Sequence, residues 1–200
     1  PKNVKLIIVT NPLDVMVMLA QKISKLPPSR VIGTGTMLDS ARLRTILSRQ
    51  LSVSTQSINA YVLGEHGDSS MVVWSSACVG GLDLATFCKQ TKITLPMTTR
   101  RTIEHRVHNA AYEIIQGRGA TWDGIAGAVA DLVRCIVNNE RRILTVSVAD
   151  GVGDRFLSMS LPRIVGDCGV VGTLVPRMDA SESAALRRSA KIIRKNFGML

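Results

Sequence analysis

Val4-Lys5-Leu6-Ile7-Ile8-Val9-Thr10-Asn11-Pro12 is the stretch on which the fold turns. It is largely apolar and β-branched, which predicts a fully buried strand over residues 4–10. Asn11-Pro12 ends the strand, and Pro12 suits the first turn of a helix, where its missing N–H is not needed. Val15, Leu19 and Ile23 follow at helical spacing, and Lys25-Leu26-Pro27-Pro28-Ser29 breaks the helix. Val31-Ile32-Gly33 reads as a second short strand. Strand, helix and strand within about 30 residues form a βαβ unit, so the two strands are predicted to be parallel. Asn11 then falls at the carboxyl end of a strand, where open α/β sheets bind their ligands.

Downstream, Gly33-Thr34-Gly35-Thr36 has the look of a dinucleotide fingerprint. The sixth position is Leu38, however, and no suitably placed acidic residue follows a second strand. The glycines are read instead as a tight turn into a helix from Met37 to about Leu51. Met71–Trp74 is strand-like, and a short helix is predicted near 83–90. Two long helices follow, near 98–116 and 122–139, separated by Gly117-Arg118-Gly119. Ile143–Val148, Arg155–Val165 and Val170–Pro176 read as antiparallel strands, and a helix over about 180–197 closes the chain. The fold expected is the end of a doubly wound parallel sheet, α/β, followed by an α+β domain. The boundary is placed so that residues 1–33 belong to the first part and 34–200 to the second.

Two hundred residues with 46% hydrophobic and 20% charged content describe a globular chain, not a disordered one. The longest apolar runs, such as Val15–Ala20, are too short to span a bilayer. The chain opens on Pro1-Lys2-Asn3 and passes straight into a strand, as an interior segment does; the expectation is a fragment that lacks its N-terminal part. Cys78, Cys88, Cys135 and Cys168 are widely spaced, with no metal-ligand pattern, and read as reduced thiols of a cytoplasmic protein. No metal site is expected. Much of the net charge of +10 lies in the last helix, where Arg187, Arg188, Lys191, Arg194 and Lys195 share one face and Leu186, Ala190, Ile193 and Phe197 another. A solvated outer face over a docked inner face accounts for it. No aromatic residue is interleaved with the basic cluster, so single-stranded nucleic acid is poorly supported as a partner.

Chemistry concentrates in Gly64-Glu65-His66-Gly67-Asp68-Ser69 and in Asp39-Ser40-Ala41-Arg42. His66 sits in a glycine-flanked turn after the apolar run Ala60–Leu63, so a strand ending there can present an imidazole to a crevice. Asp39 and Arg42 are three apart on a predicted helix and share a face. A carboxylate that accepts an imidazole N–H fixes the tautomer and favours the protonated ring. Arg42 offers a planar fork for a substrate carboxylate. Base, orienter and anion clamp suit proton transfer on a small organic acid. His105 and His108, in the long helix beside Arg101, Glu104 and Arg106, read as solvated positions; their order is not that of a metal-binding helix.

Val9-Thr10-Asn11-Pro12-Leu13-Asp14, Leu38-Asp39-Ser40-Ala41-Arg42-Leu43-Arg44 and Gly64–Ser69 together resemble the L-lactate dehydrogenases. The similarity continues through Ala110-Ala111-Tyr112-Glu113-Ile114-Ile115 and Gly119-Ala120-Thr121 to the C-terminal helix. It covers nearly all of this chain and the later part of a family member. The resemblance implies a Rossmann-type cofactor domain ending near residue 33, and NAD as cofactor. It also implies lactate and pyruvate as the substrate pair, a place in glycolysis and a homotetramer. His66 would exchange the proton with the lactate hydroxyl or pyruvate carbonyl, Asp39 would hold His66, and Arg42 would clamp the carboxylate. Asn11 would hydrogen-bond the reacting oxygen, with Val9 and Thr10 near the nicotinamide and Thr121 lining the substrate pocket.

The chain departs from the family pattern in three ways. The glycine-rich NAD fingerprint and the loop carrying a second arginine lie outside it. Members regulated by fructose 1,6-bisphosphate pair an arginine with a histidine; Arg44 matches the arginine, but Asn59 stands where the histidine would be. The Asp150-Gly151-Val152-Gly153-Asp154 turn is shorter than the family's. Malate dehydrogenases share the Asp39, Arg42 and His66 constellation but commonly carry Gly where this chain has Glu65, which favours lactate; a branched 2-hydroxy acid stays open. The competing reading is a non-catalytic truncated homologue, an oligomerising module or one that binds phosphate or nucleic acid through the basic helix.

Overall fold

The computed structural model describes residues 4–118, 122–151 and 156–199. Strand β1 (Leu6–Ile8) leads into helix α1 (Leu13–Ser24) and strand β2 (Val31–Gly33), and β1 and β2 pair in parallel from Leu6↔Val31 to Ile8↔Gly33. The βαβ reading thus holds. Strands β8 (Arg142–Asp150), β9 (Leu157–Gly166) and β10 (Gly169–Thr173) add to β2 in antiparallel fashion, giving one mixed sheet of order β1-β2-β8-β9-β10. One expectation fails in degree. β1 is three residues long and half-buried, and Val9 is 42% exposed, where a fully buried strand over 4–10 was expected. β1 ends the sheet among the described residues and has a hydrogen-bonding neighbour on one side only.

Both faces of this sheet are covered. Val31 and Ile32 are adjacent in a strand and so point to opposite faces. Ile32 packs with Val146 and Val165 against Leu132, Cys135 and Ile136 of helix α5 (Trp122–Val137). Val31 packs with Val17 and Met18 of α1 and with Ala190 and Ile193 of helix α6 (Ala180–Phe197). The interior residues of β8 are buried on both sides, which explains why that strand reads as a continuous run and not as an alternation.

Helix α2 (Met37–Leu51) buries Leu43, Leu47 and Leu51 at helical spacing. They meet Ile103 and Val107 of helix α4 (Met97–Arg118) and three short strand pairs. Strand β4 (Val62–Leu63) pairs with β5 (Met71–Val72), while β3 (Ile58–Asn59), β6 (Cys78–Val79) and β7 (Leu82–Asp83) form a small sheet that leads into helix α3 (Leu84–Thr91). That small sheet was not expected; its two-residue strands are too short to show periodicity. Helix α6 starts with a capping box. Asp179 Oδ1 accepts the Glu182 N–H at 2.8 Å, and Glu182 Oε2 accepts the Asp179 N–H at 2.9 Å. Glu182 Oε1 also accepts the N–H groups of Trp74 and Ser75 at 2.8 and 3.0 Å, which ties α6 to the end of β5. On α6 the five basic residues are exposed and Ala190 and Ile193 buried, as the pattern predicted. Among the described residues, no helix is long and apolar enough to cross a membrane.

Candidate active site

The site is assembled where α1, α2 and the β4–β5 turn meet. Gly35 makes the tight turn into α2; at φ +54° it is left-handed, and a Cβ there would lie 2.6 Å from the Thr145 carbonyl oxygen. The turn places Asp39 in the first helical turn and Arg42 one turn later. After β4 the chain crosses to β9: Gly64 N–H donates to the Ser160 carbonyl at 3.0 Å, and Ser160 N–H returns to the Gly64 carbonyl at 2.8 Å. Gly64 has φ +95°, and a Cβ there would fall 2.6 Å from Ser189 Oγ on α6. Ser189 Oγ in turn accepts the Glu65 N–H at 2.7 Å and lies 3.0 Å from Ser69 Oγ. The histidine turn is therefore seated on β9 and α6, not free in solvent.

His66 Nδ1 lies 3.0 Å from Asp39 Oδ2. An ionised Asp39 takes the Nδ1–H and leaves Nε2 as the nitrogen that exchanges a proton. The imidazole is 31% exposed, so it is reachable from solvent. Arg42 Nη1 is 3.3 Å from Asp39 Oδ1, a single long contact that leaves most of the guanidinium fork for another carboxylate. Burial pulls the His66 pKa down, but the hydrogen bond and charge of Asp39, with the charge of Asp14, outweigh it, and the net shift is upward against a smaller opposing effect of Arg42. A ring held nearer the working pH can both take and give a proton.

Asp14 closes the Val9–Asp14 motif, and the sequence assigns it no role. It is 3% exposed on α1, and its Oδ2 accepts the His66 backbone N–H at 2.8 Å. Its Oδ1 accepts the Ser147 hydroxyl, and Ser147 Oγ lies 2.6 Å from Ser158 Oγ. Burial pushes the Asp14 carboxyl up to about 6, against the lowering effect of Ser147 and of the His66 N–H. A signal was present: a carboxylate between Leu13 and Val15, at the start of an amphipathic helix, falls on the side that packs. Nothing in the sequence pointed to its partners, 52 and 133 residues away.

Val9, Thr10 and Asn11 form an exposed loop between β1 and α1, at the carboxyl end of β1. Thr121 and the neighbouring Gly119 and Ala120 lie outside the described residues, as does the Val152–Asp154 part of the short turn. Arg44 lines a cavity of about 350 Å³ with Tyr61, Asp131 and Arg142, and its guanidinium reaches the Ala60 carbonyl at 3.5 Å. Asn59 is exposed on β3 and pairs in register with Cys78. His105 is exposed as expected, but His108 is not a solvated position. Its Nε2 is buried with no hydrogen-bond partner among the described residues, on the side of α4 that lines a second cavity with Trp74, Arg100 and Glu104. All four cysteines are free thiols. No cluster of three or more metal-ligating side chains occurs among the described residues.

An aspartate-held imidazole beside an arginine fork, seated against a mixed α/β sheet, is a site equipped for proton transfer to or from a carboxylate-bearing small molecule. The chain belongs to the lactate/malate dehydrogenase family: residues 36–198 match the model of its α/β C-terminal domain. It is 48% identical to the L-lactate dehydrogenase of Thermus aquaticus over 193 residues, which are 94% of this chain and 62% of that protein. It is 43% identical to the L-lactate dehydrogenase of Allorhizobium ampelinum, over 96% of this chain and 63% of the relative. Among solved structures it superposes on a lactate dehydrogenase from a Medee basin deep-sea metagenome with a TM-score of 0.92 and 38% identity, covering 97% of this chain and 62% of the other. The chain thus spans rather less than two thirds of the length of these relatives.

Proposed function

We propose that this chain supplies the proton-transfer and substrate half of an NAD-dependent L-2-hydroxy acid dehydrogenase that interconverts L-lactate and pyruvate. The observation that carries the proposal is the Asp39–His66 pair at 3.0 Å, with Arg42 one helical turn away. Residues 1–33 are assigned to the end of the cofactor domain and 34–200 to the substrate domain; the family model's start at residue 36 supports that division. The loop after β1 suits a nicotinamide ring: an exposed apolar Val9 stands beside the exposed polar Thr10 and Asn11 at the carboxyl end of a parallel strand. When bound there, NAD supplies the two-electron acceptor and donor.

The chain's own residues do the rest. Arg42 binds the substrate carboxylate through two parallel N–H donors, which fixes the 2-carbon relative to His66. In oxidation His66 Nε2 takes the hydroxyl proton, and Asp39 stabilises the imidazolium that forms. In reduction the protonated ring returns that proton to the carbonyl oxygen, which the Asn11 amide binds. The family resemblance assigns Thr121 a substrate-binding role and Arg44 and Asn59 to the family's effector site, whose arginine–histidine pair is incomplete in this sequence. The assembly proposed is a homotetramer in the cytoplasm.

The test is made on the complete reading frame. Purified protein is expected to oxidise NADH with pyruvate faster than with oxaloacetate or a branched 2-oxo acid, and His66→Ala to abolish turnover with the fold intact by circular dichroism. Undiminished turnover in that variant would remove the assignment.

A further inference from the structure

We infer that Asp14 is a positioning residue for His66, its buried carboxylate locking the backbone of the histidine turn to helix α1 and to strands β8 and β9. Each oxygen has its own donor: Oδ2 takes the His66 N–H at 2.8 Å, and Oδ1 takes the Ser147 hydroxyl. Ser147 and Ser158, 2.6 Å apart through their hydroxyls, are both fully buried, so the anchor is itself anchored in the sheet. Asp14 lies three residues after Asn11, at the start of the same helix. One side chain therefore joins the Asn11 loop to the turn that carries the imidazole.

A neutral Asn or Ser could also accept one backbone N–H, and burying a carboxylate is costly. The cost is visible in the Asp14 carboxyl, which burial lifts to about 6. What a charge adds at this position is an electrostatic contribution to the ring above it. Asp14 and Asp39 both favour the protonated imidazole, and Arg42 opposes it. Glu65, on the same turn, opposes the charge on Asp14.

The turnover part of this inference rests on the dehydrogenase reading; the titration part does not. Asp14→Asn and Ser147→Ala are made in the complete protein, and the His66 imidazole is titrated by NMR alongside steady-state kinetics. In Asp14→Asn the charge is lost and a single amide oxygen must serve both the His66 N–H and the Ser147 hydroxyl, so the His66 pKa is expected to fall as the turn loosens, and turnover to drop on the order of 10- to 100-fold with KM changed less than about threefold. In Ser147→Ala the carboxylate keeps its charge but loses a donor, so the Asp14 carboxyl titrates at higher pH and the acid limb of the pH profile moves with it. An unchanged His66 titration in Asp14→Asn overturns the inference, as does an unshifted Asp14 carboxyl in Ser147→Ala. If Asp14→Asn does not fold, Ser147→Ala decides alone. If the wild-type protein turns over no 2-hydroxy acid, the dehydrogenase reading fails, and the NMR titrations still decide the role of Asp14.

Discussion

Gly64→Ala is expected to be among the most damaging single-methyl additions in the molecule, through two separable effects. Gly64 holds φ +95°, which an L side chain adopts only under strain, at a cost of about 1–2 kcal/mol. The new Cβ would also lie 2.6 Å from Ser189 Oγ and 3.1 Å from Ser189 Cβ, so the serine hydroxyl must move. That movement releases the Glu65 N–H, held at 2.7 Å, and the Ser69 hydroxyl at 3.0 Å. The Ser69 hydroxyl keeps its bond to Glu65 Oε2, but leaving the half-buried Glu65 N–H unpaired adds about 1–3 kcal/mol. The total is about 2–5 kcal/mol, a large part of the stability of an ordinary domain. Ser189→Ala separates the effects, because it removes Oγ and its hydrogen bonds in advance. In that background Gly64→Ala is expected to cost the backbone strain and the milder 3.1 Å approach to the remaining Cβ of residue 189. Urea unfolding of wild type, both single variants and the double variant closes the cycle, and the expected coupling is about 1–3 kcal/mol. Equal costs of Gly64→Ala in the two backgrounds would refute the steric argument, and a cost below about 1 kcal/mol would refute both parts.

Two further predictions concern the site and its support. The folded-state pKa of His66 lies above its ordinary value of about 6.5, so the pair with Asp39 stabilises the fold fully below that pH and loses its contribution as pH rises through the folded value; Asp39→Asn should flatten this fall in unfolding free energy measured from about pH 6 to pH 8, and an unchanged slope would show that the pair is not coupled to folding. Glu182 accepts three backbone N–H groups, from Trp74, Ser75 and Asp179, and is 8% exposed, so Glu182→Ala should cost about 2–4 kcal/mol in thermal or urea unfolding; Asp179→Ala, which removes the cap alone, should cost about 1 kcal/mol, and a reversed order would mean that the tie to β5 contributes little.

Most elements were legible because their signals are local. The run from Met37 to Leu51 and the α6 pattern from Ala180 to Phe197 came out at their structural limits, since 3.6-residue periodicity is long enough there to be counted. The parallel β1–β2 pair followed from the strand, helix and strand pattern within about 30 residues. The two-residue strands β3, β6 and β7 were invisible for the opposite reason: nothing repeats within two residues. His108 was misplaced because a helix does not announce which neighbour will cover its flank. Asp39, Arg42 and His66 were found as residue types suited to one chemistry, and the structure brings all three together.

What the sequence by itself determined is the list of parts: the βαβ start, the helix with Asp39 and Arg42 on one face, and the glycines that allow a histidine turn. These depend on neighbours in the chain, so composition and spacing suffice. What only the tertiary structure decided is how the turn is held. Asp14, Ser147, Ser158, Ser160 and Ser189 reach it from α1, β8, β9 and α6, and none lies within 50 residues of His66 in the sequence. Serines that act through a hydroxyl or, at Ser160, through the backbone carry no pattern of their own, and neither does one buried carboxylate. Their role appears only when packing removes water and each donor must find its acceptor inside the protein.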